Sequence, residues 1–205
     1  MIGLFSRGTA MIAGVAILGG CALLSSPDPV QLYRFGSAPE AVSSSASLSA
    51  PVQVALRRVG FPEASRGDRL LGVTGTEAAY IKGARWVSPA EDLFSQSLEI
   101  AFLTQATRVR LIGRRELTPT TRTLDVGVRT FEARYEQVDA APVVVLSATA
   151  RMLRLPERTV VSERVFTVSQ PASANRVSSI VEAFDIATRD LNTQIVDWTE
   201  ASAGN

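Results

Sequence analysis

The stretch Val143–Leu155 constrains the fold most: it is the most apolar segment past the N-terminus, too long for a turn, and it follows a proline. Pro142 opens it, Pro156-Glu157 closes it in a turn, and Thr159–Val168 returns as an antiparallel partner, with Val160, Phe166 and Val168 expected on one side. Upstream, Leu124, Val126 and Val128 alternate with polar residues, and the apolar parity then switches to Phe131, Ala133 and Tyr135. A one-residue change of face within one strand predicts a β-bulge near Arg129-Thr130. Together the three strands read as a meander. A meander with one apolar face needs a covering layer, and the C-terminus supplies it. Val177, Ile180, Val181, Phe184, Ala187, Thr188, Leu191, Ile195 and Trp198 fall on one face of a long helix.

A second helix is marked by Ser88-Pro89-Ala90-Glu91, which reads as an N-cap, a first-turn proline and a capping-box glutamate. Leu93, Phe94, Ser97, Leu98, Ala101 and Phe102 then share a broad face up to about Gln105, with Ile100 and Leu103 at or beyond its edge. Short strands are expected at Val30–Phe35, Val52–Leu56 and Val109–Ile112. A hairpin is expected from Asp68–Val73 and Glu77–Lys82 around Thr74-Gly75. Ser37–Ala50 has no apolar period and reads as a loop. The expected fold is α/β, of the α+β kind: one mixed, mostly antiparallel sheet with two main helices packed on it. A chain of 205 residues has room for one such domain and a short appendage.

The appendage is N-terminal. Arg7 precedes the uncharged apolar run Thr9–Leu18, and Gly19-Gly20-Cys21 closes it, in the order of a secretory signal peptide. The run is short of the roughly 20 apolar residues that a membrane span needs. Leu18-Gly19-Gly20-Cys21 also resembles a bacterial lipobox, in which cleavage precedes the cysteine and its thiol carries a diacylglycerol. This predicts a leader over 1–20, lipidation at Cys21, a Ser/Pro tether over 21–29 and a folded domain over 30–201. Several acyl chains on one residue hold a bilayer far more firmly than one, each buried CH2 contributing about 0.8 kcal/mol. Ala22, where aspartate marks inner-membrane retention in enterobacteria, favours the outer membrane.

Composition removes most chemistries. The chain has no histidine, the commonest general base and metal ligand, and its single cysteine excludes an internal disulfide, a redox pair and a thiolate zinc site. Neither a P-loop nor a dinucleotide fingerprint is present. Lys82, the only lysine, has no Ser-x-x-Lys arrangement before it and reads as an exposed turn charge. Asp92 and Glu99, a carboxylate pair, lie on the polar face of the first helix. A net charge of +1 gives no footprint for nucleic acid. Arg108, Arg110, Arg114 and Arg115 form a local basic cluster that reads either as a phosphate contact or, on balance, as a solvated edge beside Glu116. Arg66-Gly67-Asp68 is read as a turn, and Trp86 and Trp198 as core residues. The chain is therefore expected to be no enzyme, with no catalytic residues, metal or cofactor.

Five features, in this order and spacing, carry a family resemblance: Leu18–Cys21; Tyr33-Arg34-Phe35-Gly36; Arg85-Trp86-Val87-Ser88-Pro89 leading into Asp92, Leu93 and Leu98; the Leu124–Phe131 strand; and Leu191, Gln194, Ile195 and Trp198 in the last helix. They resemble the ABC-type transport auxiliary lipoproteins, partners of MCE-domain (mammalian cell entry) lipid transporters of the paraquat-inducible type. Gly60-Phe61-Pro62-Glu63-Ala64 stands where such proteins continue through a strand. The resemblance implies a non-catalytic, lipid-anchored periplasmic component working with an MCE-domain protein, an ABC permease and an ATPase, and it leaves homo-oligomers open. An envelope scaffold that activates a peptidoglycan synthase is the alternative role for a tethered domain of this kind.

Overall fold

A computed structural model describes residues 30–36, 51–113, 116, 118–137 and 139–203. In chain order the elements are β1 (Gln31–Tyr33), β2 (Val52–Leu56), β3 (Arg69–Thr74), β4 (Glu77–Trp86), α1 (Ala90–Gln105), β5 (Val109–Ile112), β6 (Arg122–Tyr135), β7 (Val143–Arg154), β8 (Thr159–Pro171) and α2 (Val177–Ser202). The leader, Cys21, the tether and the Ser37–Ala50 loop lie outside the described residues.

The alternating apolar pattern of β6, β7 and β8 builds the meander expected of it, paired antiparallel along nearly their whole lengths. One edge of β6 is taken by β7. The other edge is shared end to end by two parallel strands: β2 against Arg122–Leu124 and β3 against Ala133–Tyr135. Beyond them the sheet forks. One branch adds β5 parallel to β2, and the other adds β4 antiparallel to β3 and then β1 parallel to β4. The sheet is mixed, with four parallel and three antiparallel pairings among the described residues, and the antiparallel ones are the longest. Such a branched sheet makes one α/β domain when both helices lie on the same face. Here α2 packs on β7 and β8, and α1 packs on α2 and β5.

Two strands depart from the expected pattern for reasons the register makes plain. The bulge near Arg129-Thr130 is present, between Val128 and Thr130. A second irregularity, opposite Met152 and Leu153, puts an extra residue between Val160 and Ser162 on β8. It reverses the local parity, so Phe166 and Val168 are buried as expected while Val160 is 54% exposed and Val161 packs against the core instead. β1 keeps only three residues of the expected Val30–Phe35 strand, and Phe35 leaves the sheet to enter the core.

The start of α1 also differs. Ser88 was expected to cap the helix, but the cap residue is Pro89, without a side-chain hydrogen bond. The free N–H groups of Ala90 and Glu91 donate instead to the carbonyls of Gly67 and Arg66, at 2.9 and 3.2 Å. A distant turn thus does the work of a local cap. The expected faces hold: Leu93, Phe94, Ser97, Leu98, Ala101 and Phe102 are buried, and Leu103 is 79% exposed.

The layers are locked by aromatic side chains. Trp86 meets Phe35 edge-on with centroids 4.8 Å apart, Phe131 lies 4.9 Å from Phe184, and Phe61 bridges Phe94 and Phe131. Each such pair contributes roughly 0.5–1.5 kcal/mol beyond the area it buries. On α2, Trp198 packs edge-on against Phe166 of β8. Both tryptophans are core residues, as the sequence suggests.

Candidate functional site

The residues that the sequence singles out are scattered. Asp92 is exposed and Glu99 half-buried on the outer side of α1. Lys82 is exposed but sits within β4 rather than in a turn. Arg66-Gly67-Asp68 is a turn, where two carbonyls hold the start of α1 and Asp68 pairs with Arg85 at 2.7 Å. Arg114 and Arg115 lie outside the described residues. Arg110 pairs with Glu116 at 3.0 Å, and the Arg108 guanidinium donates to the Glu200 carbonyl at 3.2 Å. The described half of the basic cluster is thus engaged in local structure. Among the described residues, no group of three or more Cys, Asp or Glu side chains converges as a metal site would require.

Glu200, which the sequence does not mark, organises that corner. Its carboxylate accepts the backbone N–H of Arg108 at 2.6 Å, that of Val109 at 3.3 Å and the Thr107 hydroxyl at 3.1 Å. The last turns of α2 are thereby stapled to the connection between α1 and β5. Desolvation pushes the Glu200 carboxyl up, and the backbone hydrogen bonds from Arg108, Thr107 and Val109 with that of the Thr107 hydroxyl outweigh it, so the group is held below its ordinary value.

Among the described residues, no helix packs on the other face of the sheet. Its rows across β6, β7 and β8 are Thr123–Leu153–Val160, Asp125–Arg151–Glu163, Gly127–Thr149–Val165 and Thr130–Ser147–Thr167. The chain leaving β2 continues along the same edge of β6: the Arg57 N–H donates to the Leu124 carbonyl, the Gly60 N–H to that of Val126, and the Val128 N–H back to that of Gly60, at 2.8–3.0 Å. Gly60 and Gly127 meet in a bridge. Pro62 then turns the chain away, its carbonyl accepting the N–H groups of Ser65 and Arg66. Around the two glycines lies a shallow groove of about 130 Å³, with Arg58, Asp125, Arg129, Thr149 and Arg151 on its walls. The sequence shows the Arg129 bulge, yet only the fold brings Arg58, from the segment after β2, and Arg151, from β7, beside it.

These features accompany clear likenesses. A protein-family model described as "ABC-type transport auxiliary lipoprotein component" matches residues 33–196. No curated protein matches the chain. A solved Xanthomonas campestris protein superposes with a TM-score of 0.71 at 23% identity, covering 85% of this chain and 97% of that one. A hypothetical protein of Chlamydia trachomatis superposes with a TM-score of 0.54 at 12% identity, covering 76% of this chain and all of the other. At such identities the two structures speak to the fold, which they share.

Proposed function

Because the chain belongs to the family of ABC-type transport auxiliary lipoprotein components, we propose that it is a non-catalytic accessory of an MCE-type transporter that moves lipid or another hydrophobic compound between membranes. The match over nearly the whole folded domain carries this reading. In it, Cys21 is cleaved free, lipidated and held in a bilayer, the outer membrane by the Ala22 criterion, and residues 21–29 tether the domain on the periplasmic side. The partners are an MCE-domain protein and the permease with its ATPase. The domain's own features suit such work. A broad sheet face on which no described helix packs offers surface for a partner.

Genetic epistasis tests the reading. In the source organism, loss of this chain and loss of the permease should each raise sensitivity to detergents and hydrophobic compounds, and the double loss should be no worse than either. Additive effects, or suppression by an activated penicillin-binding protein, would assign the chain to peptidoglycan synthesis instead.

A further inference from the structure

We propose that the groove on the helix-free face is a binding site for a phosphate ester, held by Arg58, Arg129 and Arg151. Two strands, β6 and β7, and the segment after β2 converge to make it. Backbone hydrogen bonds from Arg57 and Gly60 to β6 fix the segment that carries Arg58. The bulge between Val128 and Thr130 inserts Arg129 as an extra residue, and bulges of this kind re-aim a side chain. Arg151 stands on β7 directly across from Asp125. Between them the floor is Gly60 against Gly127, and a Cβ on Gly127 would meet nothing within 4 Å. The groove therefore has open space above backbone, with Arg58, Arg129 and Arg151 among the residues that line it.

Arg129 supplies the cation that draws an anion there. Three arginines and one carboxylate, Asp125, line the groove, and Glu91 and Glu163 pair with two of the arginines. Arg58 pairs with Glu91 at 2.7 Å and Arg151 with Glu163 at 3.2 Å, and both guanidiniums stay substantially exposed. Exposed pairs of this kind are weak, so a phosphate can recruit these cations at little cost. Among the described residues no ion pair holds Arg129. The planar fork of a guanidinium matches two phosphate oxygens, and several forks on one groove give a phosphate more than a point charge would.

The surroundings add an apolar flank. Val165 is 64% exposed in the row of Gly127 and Thr149, and Val160 lies in the row beyond Arg151 and Glu163. A phosphate headgroup in the groove would set an attached acyl chain over these valines. A free phosphate would use the arginines alone. The geometry supports the site independently of the transport reading, which it would extend by giving the domain its own contact with lipid.

Calorimetric titration of the full lipidated chain in a neutral detergent tests this, with inorganic phosphate and a short-chain phosphatidylglycerol as the two probes. Saturable binding is expected, weakened about tenfold or more by Arg129→Gln and unchanged by Arg189→Gln on α2. Val165→Asn should weaken the lipid and spare inorganic phosphate. Loss of both ligands to the same extent with Arg129→Gln, together with no effect of Val165→Asn, keeps the site and assigns it to free phosphate. Absence of saturable binding, or binding that persists in an Arg58→Gln, Arg129→Gln, Arg151→Gln triple variant with native circular dichroism, overturns the proposal. Neither result bears on whether the chain meets a transporter, which the epistasis experiment reads separately.

Discussion

Asn192 on α2 donates a hydrogen bond of 2.8 Å to the Ser97 hydroxyl on α1, and both side chains are buried where the helices cross. The sequence places Ser97 on the packing face among leucines and phenylalanines, a position whose polarity only this partner explains. Ser97→Ala would leave the Asn192 amide N–H buried without its acceptor, at a cost of about 1–3 kcal/mol. Urea unfolding should show this as a lower midpoint at unchanged slope. A variant as stable as the native protein would mean that the helices are held by apolar contact alone.

The same crossing receives Gly36. Its φ of +66° is one that side chains disfavour, and a Cβ there would lie 2.3 Å from the Ser97 Oγ. Its N–H also donates to Asp185 at 2.7 Å. Gly36→Ala should therefore destabilise the domain by at least about 2 kcal/mol, through backbone strain and overpacking together. Gly127→Ala, with open space around it, should change stability by less than about 1 kcal/mol. Thermal melts of the two variants compare these directly, and equal shifts would contradict the packing described.

Glu200 gives the domain an acid-sensitive staple. Its carboxyl titrates lower in the folded chain than in the unfolded one, so its contribution is present above the unfolded value, about pH 4.3, and is lost as pH falls through the folded value. Native protein should be more stable than Glu200→Gln at pH 7, with the gap closing as pH falls below about 4. A gap independent of pH would show that hydrogen-bond geometry, not charge, holds the corner.

Much of this architecture is legible in the residues because local patterns and burial agree. β2 and β5 fall where alternation puts them, α1 ends at Gln105, and the β6 bulge follows from the change of parity between Val128 and Phe131. Val160 escapes such reading because a second bulge resets its face, and a bulge in a strand of mixed polarity leaves no parity signal. The cap of α1 escapes because its acceptors lie in the turn at Arg66-Gly67, more than twenty residues away. The arginine groove escapes for the same reason: Arg58, Arg129 and Arg151 are unremarkable singly, and only the forked sheet assembles them.

The anchor yields its own expectation. If Cys21 carries the acyl chains, replacing residues 1–21 by a secretory leader cleaved at an ordinary Ala-x-Ala site should move the chain from the membrane fraction to the soluble periplasmic fraction with its fold intact, as judged by fractionation and circular dichroism. Retention in the membrane would mean that something other than lipidation holds it.

The most direct measurement is crosslinking in native cell envelopes followed by mass spectrometry, on the native chain and on the variant released by an ordinary secretory leader in place of residues 1–21. The account expects an MCE-domain protein and an ABC permease among the crosslinked partners of the native chain, and their depletion when the anchor is lost. Crosslinks confined to cell-wall synthases, with no transporter component, would contradict it.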